Sequence, residues 1–293
     1  MELDYVKLKQ IKPAIAGCIR KSQLLLNKSD IPDEKAIHDI RVQMKKTRAF
    51  LNLIAHKTDN PYYDRDIADL REVGRLLCCQ RDTSVKRKIL KELRKEFPDI
   101  LDKLHDNKVL NLILEKQETS FEPGEEPEEV FGQIAVLLKK TGFRIRFQSM
   151  NMIDPQTLLK EIDITYKRVA DMYLRCRNNP KPAAIHNFRK KAKDFLYQLY
   201  IFRPLNPSVI KVLEKKLDIM TQNLGKHNDL HQFVNDLGYN YLDNANVPAM
   251  NELILKIRDK QDRYLSKVWS PAYQIFCPGQ NLVNLLGFKL LVI

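Results

Sequence analysis

Apolar side chains recur every three or four residues through most of the chain, which is the spacing of one face of an α-helix. Prolines and clusters of Asp and Asn interrupt this pattern and separate the predicted helices. These helices cover residues 5–27, 33–56, 62–80, 83–96, 99–118, 126–142, 155–178, 181–203, 208–225, 228–243 and 247–268. Only residues 143–147 suggest a short strand. The pattern therefore predicts an all-α protein.

Two stretches of the chain repeat each other. The pattern Ala-Ile-His-x-φ-Arg, in which φ is apolar, occurs at residues 36–41 and again at 184–189. Residues 77–82 and 224–229 resemble each other at nearly the same spacing along the chain. Two matches in register indicate a duplicated helical unit. We therefore expect two halves that are related by approximate two-fold symmetry.

One face of the first repeated helix carries a row of cations. His38, Arg41, Lys45 and Arg48 fall on one stripe of a helix with 3.6 residues per turn, and Lys46 flanks them. The opposite face is apolar and predicts a contact with the core. Successive cations stand roughly 5 Å apart along the helix axis. No acid interrupts the stripe, so we expect it either to meet an anion or to be screened by solvent.

The second repeated helix carries a modified stripe. His186, Arg189 and Lys193 occupy the matching positions, Lys190 lies beside them, and Tyr197 continues the stripe where the first copy continues with arginine. Two such stripes turned toward each other would line a basic cleft or pore. Phosphate oxygens in this cleft would accept charge-assisted hydrogen bonds of about 1.5–3 kcal/mol each.

The remaining polar positions have supporting roles. Asp82 and Asp229 have the wrong charge for phosphate, so we expect them to orient a neighbouring His or Arg side chain or to cap a helix. The two histidines have two interpretations: contact with the anion, or a buried imidazole hydrogen-bonded to one of these carboxylates. Arg20 and Arg168 are further cations that can extend the cleft.

The composition favours an anionic partner. Fifty Lys and Arg against 37 Asp and Glu give a formal charge of +13, which fits nucleic acid, an anionic membrane or polyphosphate, although a basic protein without such a partner also fits. The five cysteines show no CxxC spacing and suit a reducing cytoplasm. No apolar stretch approaches the roughly 20 residues of a membrane span. Residues 118–129 predict an exposed acidic loop, either a solvated connection or a competitor for the basic face.

The repeated helix resembles the motif helix of the CHAD family, the conserved histidine α-helical domain. The pattern of that family, His-x-x-Arg-Val-x-x-Arg/Lys-Arg/Lys-x-Arg, is met at residues 38–48 and in part at 186–197. Its later element, Leu-Gly-x-x-Arg-Asp-Leu, is similar to residues 224–230 and more loosely to 77–82. The resemblance covers nearly the whole chain.

The resemblance implies two four-helix units, in residues 1–150 and 151–293, packed around a basic central cleft or pore. It also implies non-catalytic binding of long-chain inorganic polyphosphate without a cofactor, with association with polyphosphate granules as a further expectation. The second copy departs from the family pattern, because Asp194 and Leu196 replace basic residues. In the first half, Cys78 stands where glycine is usual. The second half is therefore expected to bind the ligand more weakly, or to supply shape rather than charge.

Two other functions remain open. A nucleic-acid-binding protein fits the charge, but the sequence has no recognition motif and no series of stacking aromatic residues. A metal-dependent phosphohydrolase could use His227, Asp229 and His231, because two histidines at i and i+4 can chelate a metal ion. The sequence has no HExxH motif and no cluster of carboxylates for magnesium. We therefore predict a polyphosphate-binding protein without a metal site and without sequence-specific recognition of nucleic acid.

Overall fold

The computed structural model describes residues 11–29, 31–55, 61–105, 126–148, 155–237 and 247–287, except for the side chains of residues 61, 79–83, 105 and 155. Within these ranges the chain forms helices and contains no strand. The helices are α1 (Ile11–Leu26), α2 (Glu34–Ala55), α3 (Pro61–Leu76), α4 (Cys78–Glu96), α5 (Pro98–His105), α6 (Pro127–Phe147), α7 (Pro155–Asn178), α8 (Pro182–Phe202), α9 (Pro207–Leu237), α10 (Val247–Phe276) and α11 (Leu282–Leu285). The predicted all-α fold is confirmed.

Two predicted interruptions do not occur. α9 runs without a break through residues 225–228, where Gly225 and Asn228 are buried. Burial of this turn outweighs the roughly 1 kcal/mol that glycine costs in a helix interior. α6 continues to Phe147, so the strand predicted at 143–147 is wrong.

α10 is longer than the apolar pattern predicts. It ends at Phe276 rather than at residue 268, and it contains Pro271. A proline removes one intrahelical hydrogen bond. The last turn forms nevertheless, because Ile275 and Phe276 are buried beyond the proline. Of the predicted acidic loop, residues 118–125 lie outside the described residues, and residues 127–129 belong to the first turn of α6.

Most helix starts follow from local chemistry. Proline at the first helical position lacks an N–H group that would have no partner there, and its fixed φ suits the helix. Helices begin in this way at Pro61, Pro98, Pro127, Pro155, Pro182 and Pro207. At the start of α2, the Asp33 Oδ1 atom accepts a hydrogen bond from the Ala36 N–H at 2.7 Å and so caps the helix.

The long helices pack as two sets of four. In the first set α2 contacts α1 and α3, and α6 contacts the same two helices; in the second, α8 contacts α7 and α9, and α10 contacts the same two. The motif helices α2 and α8 pack against each other and join the sets. The division into two pseudo-symmetric four-helix units with a boundary after residue 150 stays a prediction.

The main core has an aromatic centre in the second set. The Phe276 ring lies 5.7–6.3 Å, between ring centroids, from the rings of Tyr166, Tyr173, Phe188 and Phe195. A second, smaller core joins α4 and α5 to the end of α9 and the start of α10. Elements from both halves of the chain therefore share this smaller core.

A buried carboxylate joins α3 to α6. Asp66 is fully buried and accepts hydrogen bonds from Arg144 Nε at 2.6 Å and from Gln148 Nε2 at 2.8 Å. Arg144 also donates to Asp69. Burial raises the pKa of Asp66, whereas the bonds from Arg144 and Gln148 oppose that rise. The Asp66 carboxylate therefore links α3 to α6, and its buried negative charge is stabilised by Arg144 and Gln148.

Candidate functional site

The cationic stripe of α2 is only partly accessible. His38 is exposed at its start, whereas Arg41, Lys45, Lys46 and Arg48 are half-buried. Helix packing therefore partly shields these four predicted ligands from bulk water. Charge-assisted hydrogen bonds are stronger in such a site than on an open surface.

Two arginines of the stripe reach neighbouring helices. Arg41 Nη1 donates to the carbonyl oxygen of Gly74 on α3 at 2.6 Å. Burial lowers the pKa of Arg48, and the Asp194 carboxylate on α8 opposes this effect. The positive charges of Arg71 and Arg41 lower the same pKa further. Arg71, which the sequence analysis missed, therefore brings a third guanidinium group into the field of the two stripe arginines.

The two repeated helices meet at a tyrosine. The Lys46 Nζ atom of α2 lies 5.9 Å from the ring centroid of Tyr197 on α8, and Lys193 Nζ lies 5.4 Å from the same centroid. Gln198 Nε2, one residue further along α8, donates to the carbonyl oxygen of Ala49 at 3.2 Å. We call this region the α2–α8 contact. It brings one predicted lysine from each copy of the motif to a single ring.

The predicted ligand Tyr197 is itself buried. Only 3% of its surface is exposed, and burial raises the pKa of its phenol. Its neighbour Tyr200 lies 5.4 Å from Lys46 Nζ and 5.0 Å from the Arg203 guanidinium carbon. The two rings therefore hold cations by cation–π contacts.

The rest of the α8 stripe lies along α9. The His186 Nδ1 atom is 2.8 Å from Asn228 Oδ1, so this histidine pairs with Asn228 and not with Asp229, one of the two carboxylates considered for it. Lys193 Nζ donates to Asp218 Oδ1 at 3.1 Å. Part of the positive charge of the second stripe is therefore neutralised by the protein.

Arg189 lies flat on a glycine of α9. A Cβ atom at Gly225 would stand 3.2–3.5 Å from the Nη2, Nε and Cζ atoms of the Arg189 guanidinium group. Any other residue at 225 would push this group outward. Because Gly225 has no side chain, the Arg189 guanidinium group can lie close to the backbone of α9.

The other predicted residues lie further out. Lys190, Arg20 and Arg168 are exposed on α8, α1 and α7. Within the part of the chain that the structure describes, no contact brings Arg20 or Arg168 to the α2–α8 contact. The side chain of Asp82 lies outside the described residues. The predicted role of Asp82 therefore stays a prediction.

A cavity of about 490 Å³ lies between α2, α4, α9 and α10. Both His38 and Asp229 line it, whereas His186 does not. The cavity also collects lysines that the sequence analysis missed, since its lining includes Lys35, Lys88, Lys226 and Lys260 together with Tyr264. We call it the lysine pocket. The two predicted histidines therefore have different surroundings.

Two comparisons relate this geometry to known proteins. The family model of the CHAD domain matches residues 14–233, which is most of the chain. The chain belongs to the CHAD domain family. Its structure is similar to the crystal structure of the CHAD domain from the plant Ricinus communis, with a TM-score of 0.66, 16% sequence identity, and coverage of 92% of this chain and 94% of that chain. A search of curated proteins found no significant match.

The contact of Arg189 with Gly225 gives the Leu-Gly element of this CHAD domain a physical reason. Replacing an exposed helical glycine with alanine is expected to raise the free energy of unfolding by about 0.5–1 kcal/mol. We expect that gain for Gly132→Ala in α6, where an added Cβ atom meets nothing within 4 Å. Gly225→Ala should gain less, because its methyl group must displace the Arg189 guanidinium group. Urea denaturation of both variants measures the difference, and equal gains would contradict the close contact.

The residues proposed for a phosphohydrolase do not form a metal site in this CHAD domain. His227 is buried, and burial lowers the pKa of its imidazole. The other imidazole, of His231, lies 3.3 Å from Asn235 Nδ2. Over the described ranges, no three His, Cys, Asp or Glu side chains stand close enough to hold a metal ion. Over the same ranges, no helix has the length and apolar character needed to cross a membrane.

Proposed function

We propose that this CHAD domain binds long-chain inorganic polyphosphate, without catalysis, along the cations of α2 and α8. The observation that carries this proposal is the α2–α8 contact, where Lys46 and Lys193 approach the ring of Tyr197. Because each copy of the motif supplies one of these lysines, a single anionic chain can bridge the two helices there. We place this activity in the cytoplasm, with polyphosphate granules as the proposed partner structure.

The crowding of arginines supports a polyanion as the ligand. The charges of Arg41 and Arg71 lower the pKa of Arg48, and the Asp194 carboxylate opposes this effect. Like charges held close together by packing are destabilising until an anion neutralises them. A chain of phosphates supplies several negative charges in succession and requires no base recognition.

The two copies are expected to contribute unequally. In α8, Lys193 is paired with Asp218 and His186 with Asn228, so ligand binding must compete with these contacts. In α2, Lys46 contacts two aromatic rings, and no carboxylate in the described part of the chain pairs with it. We therefore expect α2 to contribute most of the affinity, in agreement with the weakened second motif.

A salt titration tests the proposal. Binding of long-chain polyphosphate should weaken steeply as the salt concentration rises, because each phosphate contact releases a condensed counterion; the slope of log K against log salt should be about −0.7 per contact if polyphosphate behaves as single-stranded nucleic acids do. Fluorescence anisotropy with labelled polyphosphate measures the slope. Single-stranded DNA and RNA serve as competitors. If either displaced polyphosphate at equal phosphate concentration, the nucleic-acid alternative would replace this proposal.

A further inference from the structure

The lysine pocket has a floor made of buried side chains. Ile37, Ile89 and Leu230 line it and are each less than 9% exposed. Lys260 lies beside them, also buried, and its Nζ atom donates to Glu96 Oε1 at 2.5 Å. A ligand that enters the pocket therefore meets apolar side chains of both cores, since Ile37 belongs to the main core and Ile89 and Leu230 to the smaller one.

The acids of the pocket are already engaged within the protein. Glu34 Oε2 accepts a hydrogen bond from Ser84 Oγ at 2.8 Å. Glu92 Oε2 lies 3.9 Å from the Lys260 ammonium group. Asp229 also has an interaction within the protein. The lining contains four lysines and three carboxylates, so the pocket keeps an excess of one positive charge.

The mouth of the pocket is positive. Lys35, Lys88 and Lys226 are exposed and come from α2, α4 and α9. Among the residues that the structure describes, none of these three ammonium groups is paired with a carboxylate. Lys226 lies 5.3 Å from the ring centroid of Tyr264, which holds it at the rim. Three cations from three helices thus converge on one half-open volume.

We infer that the lysine pocket binds the terminal phosphate group of a polyphosphate chain, an inference that rests on the proposed function. A terminal phosphate has a second ionisable oxygen that an internal phosphate lacks, and phosphate monoesters lose the corresponding proton at about pH 6. The end of the chain is therefore more negative than its interior at neutral pH. A half-open pocket with three lysine ammonium groups at its mouth suits this compact group, whereas a row of cations suits the repeating interior.

His38 connects the pocket to the cationic stripe. It lines the pocket and is also the first residue of the α2 stripe. With a rise of 1.5 Å per residue, Lys45 and Arg48 follow at about 10 and 15 Å along the helix axis. A chain whose end occupies the pocket can therefore continue along α2 to the α2–α8 contact. Its end and its interior would be bound by different residues.

Comparison of chains with free and blocked ends tests the inference. The variant combines Lys35→Gln, Lys88→Gln and Lys226→Gln. We expect it to bind inorganic tripolyphosphate about tenfold more weakly than the wild type, as three partly exposed contacts are lost. Converting both end phosphates of a long chain to phosphoramidates should weaken binding to the wild type. The same conversion should have no further effect on the variant. Isothermal titration calorimetry measures the dissociation constants of the wild type and the variant for tripolyphosphate and for long chains with free and with blocked ends.

The control variant carries Lys139→Gln, Lys140→Gln and Lys160→Gln, three exposed lysines that do not line the pocket. It has the same net charge and should bind tripolyphosphate within about twofold of the wild type. The inference is overturned if the pocket variant binds tripolyphosphate normally, or if blocked and free chains bind the wild type equally. Either result leaves polyphosphate binding itself intact. If the wild type binds no long polyphosphate, the proposed function fails and this inference with it.

Discussion

The variant Arg144→Leu is expected to lose about 3–5 kcal/mol of unfolding free energy, the range found when one partner of a buried ion pair is removed. Its carboxylate partner Asp66 is fully buried, and Arg144 supplies the positive charge beside it. Leucine would leave Asp66 with Gln148 as its hydrogen-bond donor in the described part of the chain. Urea denaturation measures the loss, provided that the m-value stays constant.

An exposed ion pair provides the matched control. Arg75 pairs with Glu72 on α3, but the two side chains are 60% and 43% exposed. Arg75→Leu should therefore cost less than about 1 kcal/mol, since such pairs gain little in water. Equal losses for the two arginine variants would show that Asp66 does not depend on Arg144.

The cost of Arg144→Leu should shrink as the pH falls. Burial already raises the pKa of Asp66, and removal of Arg144 takes away contacts that lower it. The folded variant therefore binds a proton at a pH above the ordinary Asp pKa of about 3.9, where the unfolded chain is still ionised. Because the native state then binds more protons than the unfolded state, its stability rises with acidification. Denaturation at about pH 7 and pH 4.5 tests this sign.

The helical pattern predicted the positions of the helices well where packing agrees with local propensity. α7 was predicted at residues 155–178, and the structure places it at Pro155–Asn178. The predictions failed where tertiary burial overrides local signals. Gly225 and Asn228 are typical of a turn, yet both are buried inside α9 because α8 covers them. The residues that surround positions 225–228 in the sequence do not show that α8 will cover them.

The sequence fixes which side chains share a stripe, but not what lies opposite the stripe. The period of 3.6 residues places His186, Arg189 and Lys193 on one face of α8. That this face contacts α9, with Asp218 against Lys193, depends on how the two helices are oriented in the bundle. The shared approach of Lys46 and Lys193 to Tyr197 likewise depends on the packing of α2 against α8. The repeat predicted that α2 and α8 are related helices. Only the structure shows that they contact each other.

Reversing two charges on α2 is expected to abolish most of the affinity for polyphosphate. Lys45 and Lys46 are adjacent half-buried lysines of the α2 stripe, and Lys46 also contacts the Tyr197 and Tyr200 rings of α8, so the folding of the variant must be verified separately. The double variant Lys45→Glu and Lys46→Glu loses two charge-assisted contacts of about 1.5–3 kcal/mol each and adds repulsion. We therefore expect at least about a 100-fold increase in the dissociation constant. Anisotropy titration with long-chain polyphosphate at fixed salt concentration measures it.

The matched control separates the site from the overall charge. Lys139 and Lys140 are adjacent exposed lysines on α6, and their reversal to glutamate changes the net charge of the protein by the same amount. This control should weaken binding by no more than about fivefold, because it alters only the long-range field, which salt screens. Thermal unfolding of both variants verifies that each is folded. Equal losses of affinity would mean that polyphosphate responds to total charge, and the specific role of α2 would have to be abandoned.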